Sequence, residues 1–290
     1  MATDTALRSV GYAQQEPIKA PPWHALVVWD LLFNGLTTGL FLAAAFAELV
    51  WPNLFTPLAK VAYPVALVFL IADLVLLVLD LGDWSRFHHM LRMFKPASPM
   101  SVGVWSLIVY ALPLTVATVL SLLPRGAALE WVRAVALVLG LVPGLASAAY
   151  KGVLLSTSAQ PGWRDARWLG GYLTSGAIVL GCAELVVLAY LMGQVQAVRI
   201  LRPALGALLV VHSIPLIQLY GALRPAIDRV LTLLVIVSGL LLPLWLVIVG
   251  TEPAWMVAAA VLIILGSLAS RFALLQIPHR SGFMNRSAAK

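Results

Sequence analysis

The chain has 290 residues, of which 61% are hydrophobic and only 11% charged, with a formal net charge of +7. A soluble globular domain carries about 25% charged residues, so the composition describes an integral membrane protein. The basic excess then concerns topology and anionic lipid headgroups, not nucleic acid.

A spanning helix needs about 20 mostly apolar residues. The first 20 residues are polar and hold no apolar core of the kind a cleavable signal peptide requires. Eight segments follow that qualify as spans, at 23–50, 58–81, 100–123, 131–155, 168–192, 201–223, 226–250 and 254–276. Trp51-Pro52-Asn53, Pro124-Arg125-Gly126, Gln160-Pro161-Gly162, Arg224-Pro225 and Thr251-Glu252-Pro253 mark breaks, as does the stretch from Arg199 to Pro203. Pro143, Pro215 and Pro243 fall inside spans and predict kinks. The expected fold is therefore all-α: a single membrane domain over 1–290, with eight transmembrane helices. It divides into a four-helix bundle over 22–155 and a second over 168–276, with polar tails at 1–21 and 277–290. A faint repeat supports the two halves, since Gly35 to Glu48 in span one has the spacing of Gly171 to Glu184 in span five.

The connector between spans two and three is unlike the others. Trp84, Phe87, Leu91 and Phe94 recur at helical spacing, while Arg86, His89, Arg92 and Lys95 fall elsewhere. This pattern predicts a short amphipathic helix lying in the membrane interface, ended by Pro96 and Pro99, with Ser98 or Ser101 capping the next span. An even number of spans puts both termini on one side. That side receives fourteen of the nineteen Lys and Arg residues, Lys151 and Arg271 among them. The positive-inside rule places it in the cytoplasm, unless part of that charge serves a partner protein.

Ionisable residues inside spans are costly and so are functional candidates. Asp30, Glu48, Asp73, Asp80, Glu184, His212 and Asp228 are the set. Asp30 lies roughly 10 Å along span one from Trp23. Asp73 and His212 fall near mid-membrane, with Glu184 further across and Glu48 close to the opposite surface. Together they could form a ladder for protons; each could equally hydrogen-bond a neighbouring helix and do nothing more. The single cysteine, Cys182, excludes an internal disulfide and a cysteine-ligated iron–sulfur cluster or zinc. A bis-histidine haem needs two histidines at similar depth, and only His212 is deep. No phosphate-binding or dinucleotide motif occurs. The chain is thus expected to lack a redox centre of its own.

From Asp80 to Trp105 the sequence resembles the NrfD/polysulfide reductase membrane-subunit family. Asp80-Leu-Gly, Arg86-Phe, His89-Met-Leu, Phe94, Pro96, Ser98-Pro-Met-Ser, Gly103 and Trp105 match its pattern, and Trp84 stands where the family often has proline. Tyr150-Lys-Gly-Val-Leu-Leu-Ser is similar to a second family motif, with Lys151 in place of the usual threonine, and Gly35-Leu-Thr-Thr-Gly to a third. The resemblance implies a membrane anchor for an iron–sulfur, ferredoxin-like subunit and a catalytic subunit of molybdopterin type. It also implies a quinone site, for menaquinone or ubiquinone, near the face that meets the iron–sulfur partner. Tyr150 matches a family site residue, and Asp30 stands by position where a related member has histidine, whereas an expected asparagine is Leu26. His24, Asn34 and Trp29 complete the expected quinone set, and Asp80, Arg86, His89 and Arg92 the expected docking set. Tyr150 or a protonated Asp30 can donate to a quinone carbonyl, a buried carboxyl can exchange its protons, and Trp23 and Trp29 offer apolar walls.

These features favour a quinone-linked anchor in the inner membrane of a bacterium or archaeon. Any reaction of its own would be quinone oxidation or reduction, with the substrate chemistry left to the partner. A proton-translocating module built on Asp73, His212, Glu184 and Glu48 could add to this. A stand-alone secondary transporter is the third class, but it would have no use for a charged, aromatic docking connector.

Overall fold

A computed structural model describes residues 25–288 apart from positions 82, 84, 86, 125, 159, 161 and 224–228, with side chains described as far as residue 278 except at Met90 and Ala127. In order the helices are α1 (Ala25–Val50), α2 (Pro52–Leu79), the single turn α3 (His89–Arg92), α4 (Pro99–Leu122), α5 (Ala127–Ser156), α6 (Leu169–Leu191) and α7 (Val195–Leu223). The next span is α8 (Arg229–Ile236), a π-helical segment (Val237–Leu241) and α9 (Leu242–Val249); α10 (Pro253–Ala288) closes the chain. Eight of these helical units are long and apolar enough to cross a membrane, and the described residues contain no strand. The chain is a multi-pass, all-helical membrane protein.

Two breaks are tighter than their composition suggests. α2 begins at Pro52, directly after Trp51, because proline fits the first helical turn, where its missing N–H has no partner to lose. α7 begins at Val195, so Arg199, Arg202 and Pro203 are helical. Arg202 donates from Nε to the Val247 carbonyl at 2.7 Å and from Nη2 to the Ile248 carbonyl at 2.8 Å. It thereby covers two of the last carbonyls of α9. The π-helical turn stands just before Pro243, whose ring crowds the carbonyl four residues back. Widening the helix there accommodates the proline while Gly239 rests against Gly266 of α10.

The connector after α2 differs from expectation. The predicted amphipathic helix is a single turn, α3, with Phe87, Leu91 and Phe94 exposed. A helix this short is poorly nucleated. Asp83 competes with it locally, accepting from the backbone N of Ser85 at 3.3 Å and from its hydroxyl at 2.6 Å. Of the two expected cap serines, Ser98 is the N-cap of α4, and Ser101 ties the connector down instead. The Ser98 side chain accepts from the Ser101 backbone at the start of α4, and Ser101 Oγ accepts from the Lys95 backbone at 2.9 Å.

α1 is the most enclosed span: it packs on α2, α5, α6 and α10. The α1–α6 contact is backbone to backbone. A Cβ added at Gly39 would overlap the Ala177 carbonyl, and one at Gly181 would overlap the carbonyl of Gly39. Small residues let spans approach this closely where lipid supplies no hydrophobic drive for helix association.

Candidate functional site

Because α1 is buried on nearly all sides, its polar residues meet other helices instead of lipid. Asp30, Asn34 and Thr37 follow each other at one-turn spacing, and all three are buried. α2 brings Asp73 to the same place, and α5 brings Ser147 and, one turn on, Lys151.

Lys151 is the centre of this meeting. Its Nζ lies 2.8 Å from Asp30 Oδ2 and 2.6 Å from Asp73 Oδ1, and it donates to the backbone carbonyl of Asp30 at 2.9 Å. Asn34 Nδ2 donates to the second Asp73 oxygen at 3.2 Å and to Ser147 Oγ at 3.4 Å. Asp73 is fully buried and Lys151 is 4% exposed. One ammonium therefore serves two carboxylates in a water-poor interior, an arrangement stable only while its members stay paired. Tyr150 lies beside it. Its ring sits against Gly103 of α4, where any Cβ would overlap it, and the Lys151 ammonium is 5.7 Å from the ring centroid. Two buried atoms of the cluster have no hydrogen-bond partner among the described residues: the Tyr150 hydroxyl and Asp30 Oδ1.

A second ion pair lies at the other end of α1. Arg133 Nη2 of α5 is 2.9 Å from one Glu48 oxygen and 3.1 Å from the other. The Tyr63 hydroxyl donates to Glu48 at 2.6 Å, and the guanidinium lies 5.3 Å from the Tyr63 ring centroid. This pair lines an open cleft of about 480 Å³ that also includes Lys60, Asn53 and Glu130. Between the two clusters, Thr37 donates to the Ala66 carbonyl at 2.7 Å and is hydrogen-bonded to Tyr110 at 2.9 Å. Phe41 then fills the column, with ring centroids 5.4 Å from Tyr110 and 6.0 Å from Tyr63.

The remaining expected site residues fall elsewhere. Trp29 is 43% exposed and leans on Phe33, itself 5.8 Å from Phe69, so it faces the periphery and not the ion cluster. His212 does not join Asp73: its Nδ1 is 2.8 Å from Ser175 Oγ and its ring 5.1 Å from that of Tyr172, in a small cavity also lined by Arg271. Glu184 is buried on α6, and neither carboxylate oxygen has a hydrogen-bond partner among the described residues. Asp80, His89 and Arg92 are exposed on the connector. His24, Arg86 and Asp228 lie outside the described residues. Lys151 and Arg271, counted among the terminal-side charges, and Arg133, counted on the opposite side, are all buried. Arg271 donates from Nε to the Leu31 carbonyl at 2.9 Å and is also bonded to the Ser267 carbonyl and hydroxyl.

With the helices and the cluster in place, comparison with known families is decisive. A model described as polysulphide reductase, NrfD, matches residues 13–278. The chain belongs to the NrfD family. No curated protein matches it. NrfD-family chains are membrane subunits of respiratory oxidoreductase complexes, which assigns a membrane-anchor role here. Members in general associate with the quinone pool and with iron–sulfur and catalytic subunits. The match takes in both the connector motif and the Tyr150-Lys151 motif. Lys151 was therefore detectable in the sequence as a departure from the NrfD pattern, a charge where a neutral side chain is usual.

Proposed function

We propose that this chain is the quinone-binding anchor of a respiratory oxidoreductase, exchanging electrons between the membrane quinone pool and an iron–sulfur partner. The observation that carries this reading is the pair of unpartnered buried atoms, Tyr150 Oη and Asp30 Oδ1, flanking one ion cluster. Buried polar atoms normally have partners. A phenol and a carboxyl left open on one ion cluster suit a ligand with a carbonyl or hydroxyl oxygen. A bound quinone or quinol supplies two-electron, two-proton chemistry. The protein's part is to donate a hydrogen bond from Tyr150, to take or give a proton at Asp30 Oδ1, and to keep Asp30 in place through Lys151. Menaquinone and ubiquinone both fit this description.

The connector supports the anchor reading. Tyr150 packs on Gly103 in the first turns of α4, so the site and the connector share one end of the protein. His89, Arg92 and Lys95 surround an open cleft of about 590 Å³ there. We assign this face to the ferredoxin-like partner, with a molybdopterin-type catalytic subunit beyond it. Removing Lys151, Arg271 and Arg133 from the loop charges leaves the bias on the side of the termini, which we place in the cytoplasm of a bacterium or archaeon.

Asp30→Asn should lower the turnover of decylubiquinol or menadiol by the purified complex about 100-fold, the scale of a lost acid–base group. Tyr150→Phe should cost roughly fivefold, the worth of one hydrogen bond of about 1 kcal/mol. Both complexes should retain their iron–sulfur partner on purification. Normal quinol kinetics in both variants would remove these residues from the site.

One further observation favours added proton transfer. From Asp30 to Glu48 the column along α1 is about 27 Å long, close to the bilayer core thickness. It is polar at both ends, with Phe41 between. In this reading Asp73 and Glu48 belong to the route through Thr37, Tyr110 and Tyr63. Phe41→Ala should raise the passive proton leak of proteoliposomes holding the complex, read with a trapped pH dye; an unchanged leak would discard Phe41 as the barrier.

A further inference from the structure

We propose that Lys151 is a shared counterion that couples Asp30 to Asp73: a proton reaching Asp30 hands the ammonium's hold over to Asp73. This deepens the quinone-site reading above and rests on it. An ammonium has three N–H donors. All three are spoken for by Asp30 Oδ2, Asp73 Oδ1 and the Asp30 carbonyl, at 2.8, 2.6 and 2.9 Å. Lys151 therefore has no donor left for a ligand and acts through its two carboxylates.

Those carboxylates are not equivalent. Asp73 receives Lys151 on one oxygen and Asn34 on the other. Asp30 receives Lys151 on Oδ2 and, among the described residues, nothing on Oδ1. Each Asp73 oxygen thus has a donor, whereas Asp30 Oδ1 has none among the described residues and is the more open position for a proton. With every group ionised the trio has a net charge of −1 in a buried setting; a proton on Asp30 Oδ1 makes it neutral. The step moves one proton and no electron. The O–H bond of a quinol hydroxyl breaks, the Oδ1–H bond forms, and the neutral Asp30 attracts Lys151 less than the anionic Asp73 does. Loss of that proton restores the sharing. The other polar groups at this place are Asn34 of α1, Ser147 and Tyr150 of α5, and, one residue beyond Asp30, the Leu31 carbonyl held by Arg271 of α10. Two turns along α1, Tyr110 of α4 is bonded to Thr37.

The test uses the intact complex with decylubiquinol as probe. Asp73→Asn leaves Asp30 as the only counterion of Lys151 and locks it in the ionised pair. Expected is a fall in kcat of about 100-fold with KM almost unchanged. Adding Lys151→Met to Asp73→Asn frees Asp30 and should recover about tenfold of that loss, a coupling that two merely structural residues would not show. A double variant no faster than Asp73→Asn, or an Asp73→Asn enzyme like the wild type, overturns the inference while leaving the quinone site standing. A wild-type complex that neither binds nor oxidises the probe overturns both. Should the Asp73 variants fail to assemble, the redox-difference infrared spectrum of the wild-type complex decides: it should contain a carboxylic-acid C=O band that vanishes in Asp30→Asn, and absence of that band counts against the shared counterion.

Discussion

Replacing Lys151 by methionine is expected to destabilise the folded subunit by about 3–5 kcal/mol, the penalty for stranding buried charges by removal of their partner. The side-chain volumes are similar, so packing changes little and the loss is electrostatic. Asp30 and Asp73 would then be left without the cation they share, at 2.8 and 2.6 Å respectively. Asn34 would remain as a donor to Asp73 alone. A thermal melt of the purified subunit in detergent should show the drop, and Lys151→Met combined with Asp73→Asn should recover part of it by removing one stranded charge. An unchanged melting temperature in the single variant would mean that the cluster does not hold α1, α2 and α5 together.

Gly39→Leu is expected to be as damaging for a different reason. The Cβ alone would overlap the backbone of Ala177 and Gly181, and backbone cannot rotate aside as a side chain can. Overpacking a core costs about 1–3 kcal/mol where side chains absorb the strain, and more where they cannot. Here it would separate α1 from α6. Gly221→Ala on α7 is the control, since a Cβ there meets nothing within 4 Å and helix propensity favours alanine by about 0.5–1 kcal/mol. Yield of folded protein on size-exclusion chromatography should collapse for Gly39→Leu and hold for Gly221→Ala. Equal yields would contradict the close α1–α6 packing.

Much of the fold is legible in the sequence because the bilayer demands it. Long apolar runs must be helices, and their number follows from hydropathy alone. What hydropathy misreads is the short polar interruption. Trp51-Pro52 looks like a loop yet is a near-continuous helix junction, since proline is at home in a first turn. The connector around Phe87 and Leu91 has helical spacing, but spacing over three turns cannot nucleate a helix where Asp83 offers a competing turn.

The candidate site is only half legible, for a related reason. Sequence gives the depth of a residue along its helix and the face it occupies, but not which faces meet. Asp30 and Asn34, one turn apart, mark a polar face on α1, and Ser147 and Lys151 mark another on α5. Nothing in the chain says that the two faces point at each other with Asp73 between them. A lysine at the end of an apolar run looks like a topological charge that snorkels to the surface, so Lys151 is counted with the loops. Depth alone also groups Asp73 with His212, whereas helix rotation pairs Asp73 with Lys151 and His212 with Ser175.

Whether Tyr150 and Asp30 face a bound quinone is tested most directly by photo-labelling. The purified complex would be irradiated with an azidoquinone and the labelled peptides mapped by mass spectrometry. Label on the α1 and α5 peptides that contain Asp30 and Tyr150, suppressed by excess decylubiquinone, is the predicted result. Label confined to the peptides around His212 and Arg271, or label that excess quinone does not suppress, would contradict it.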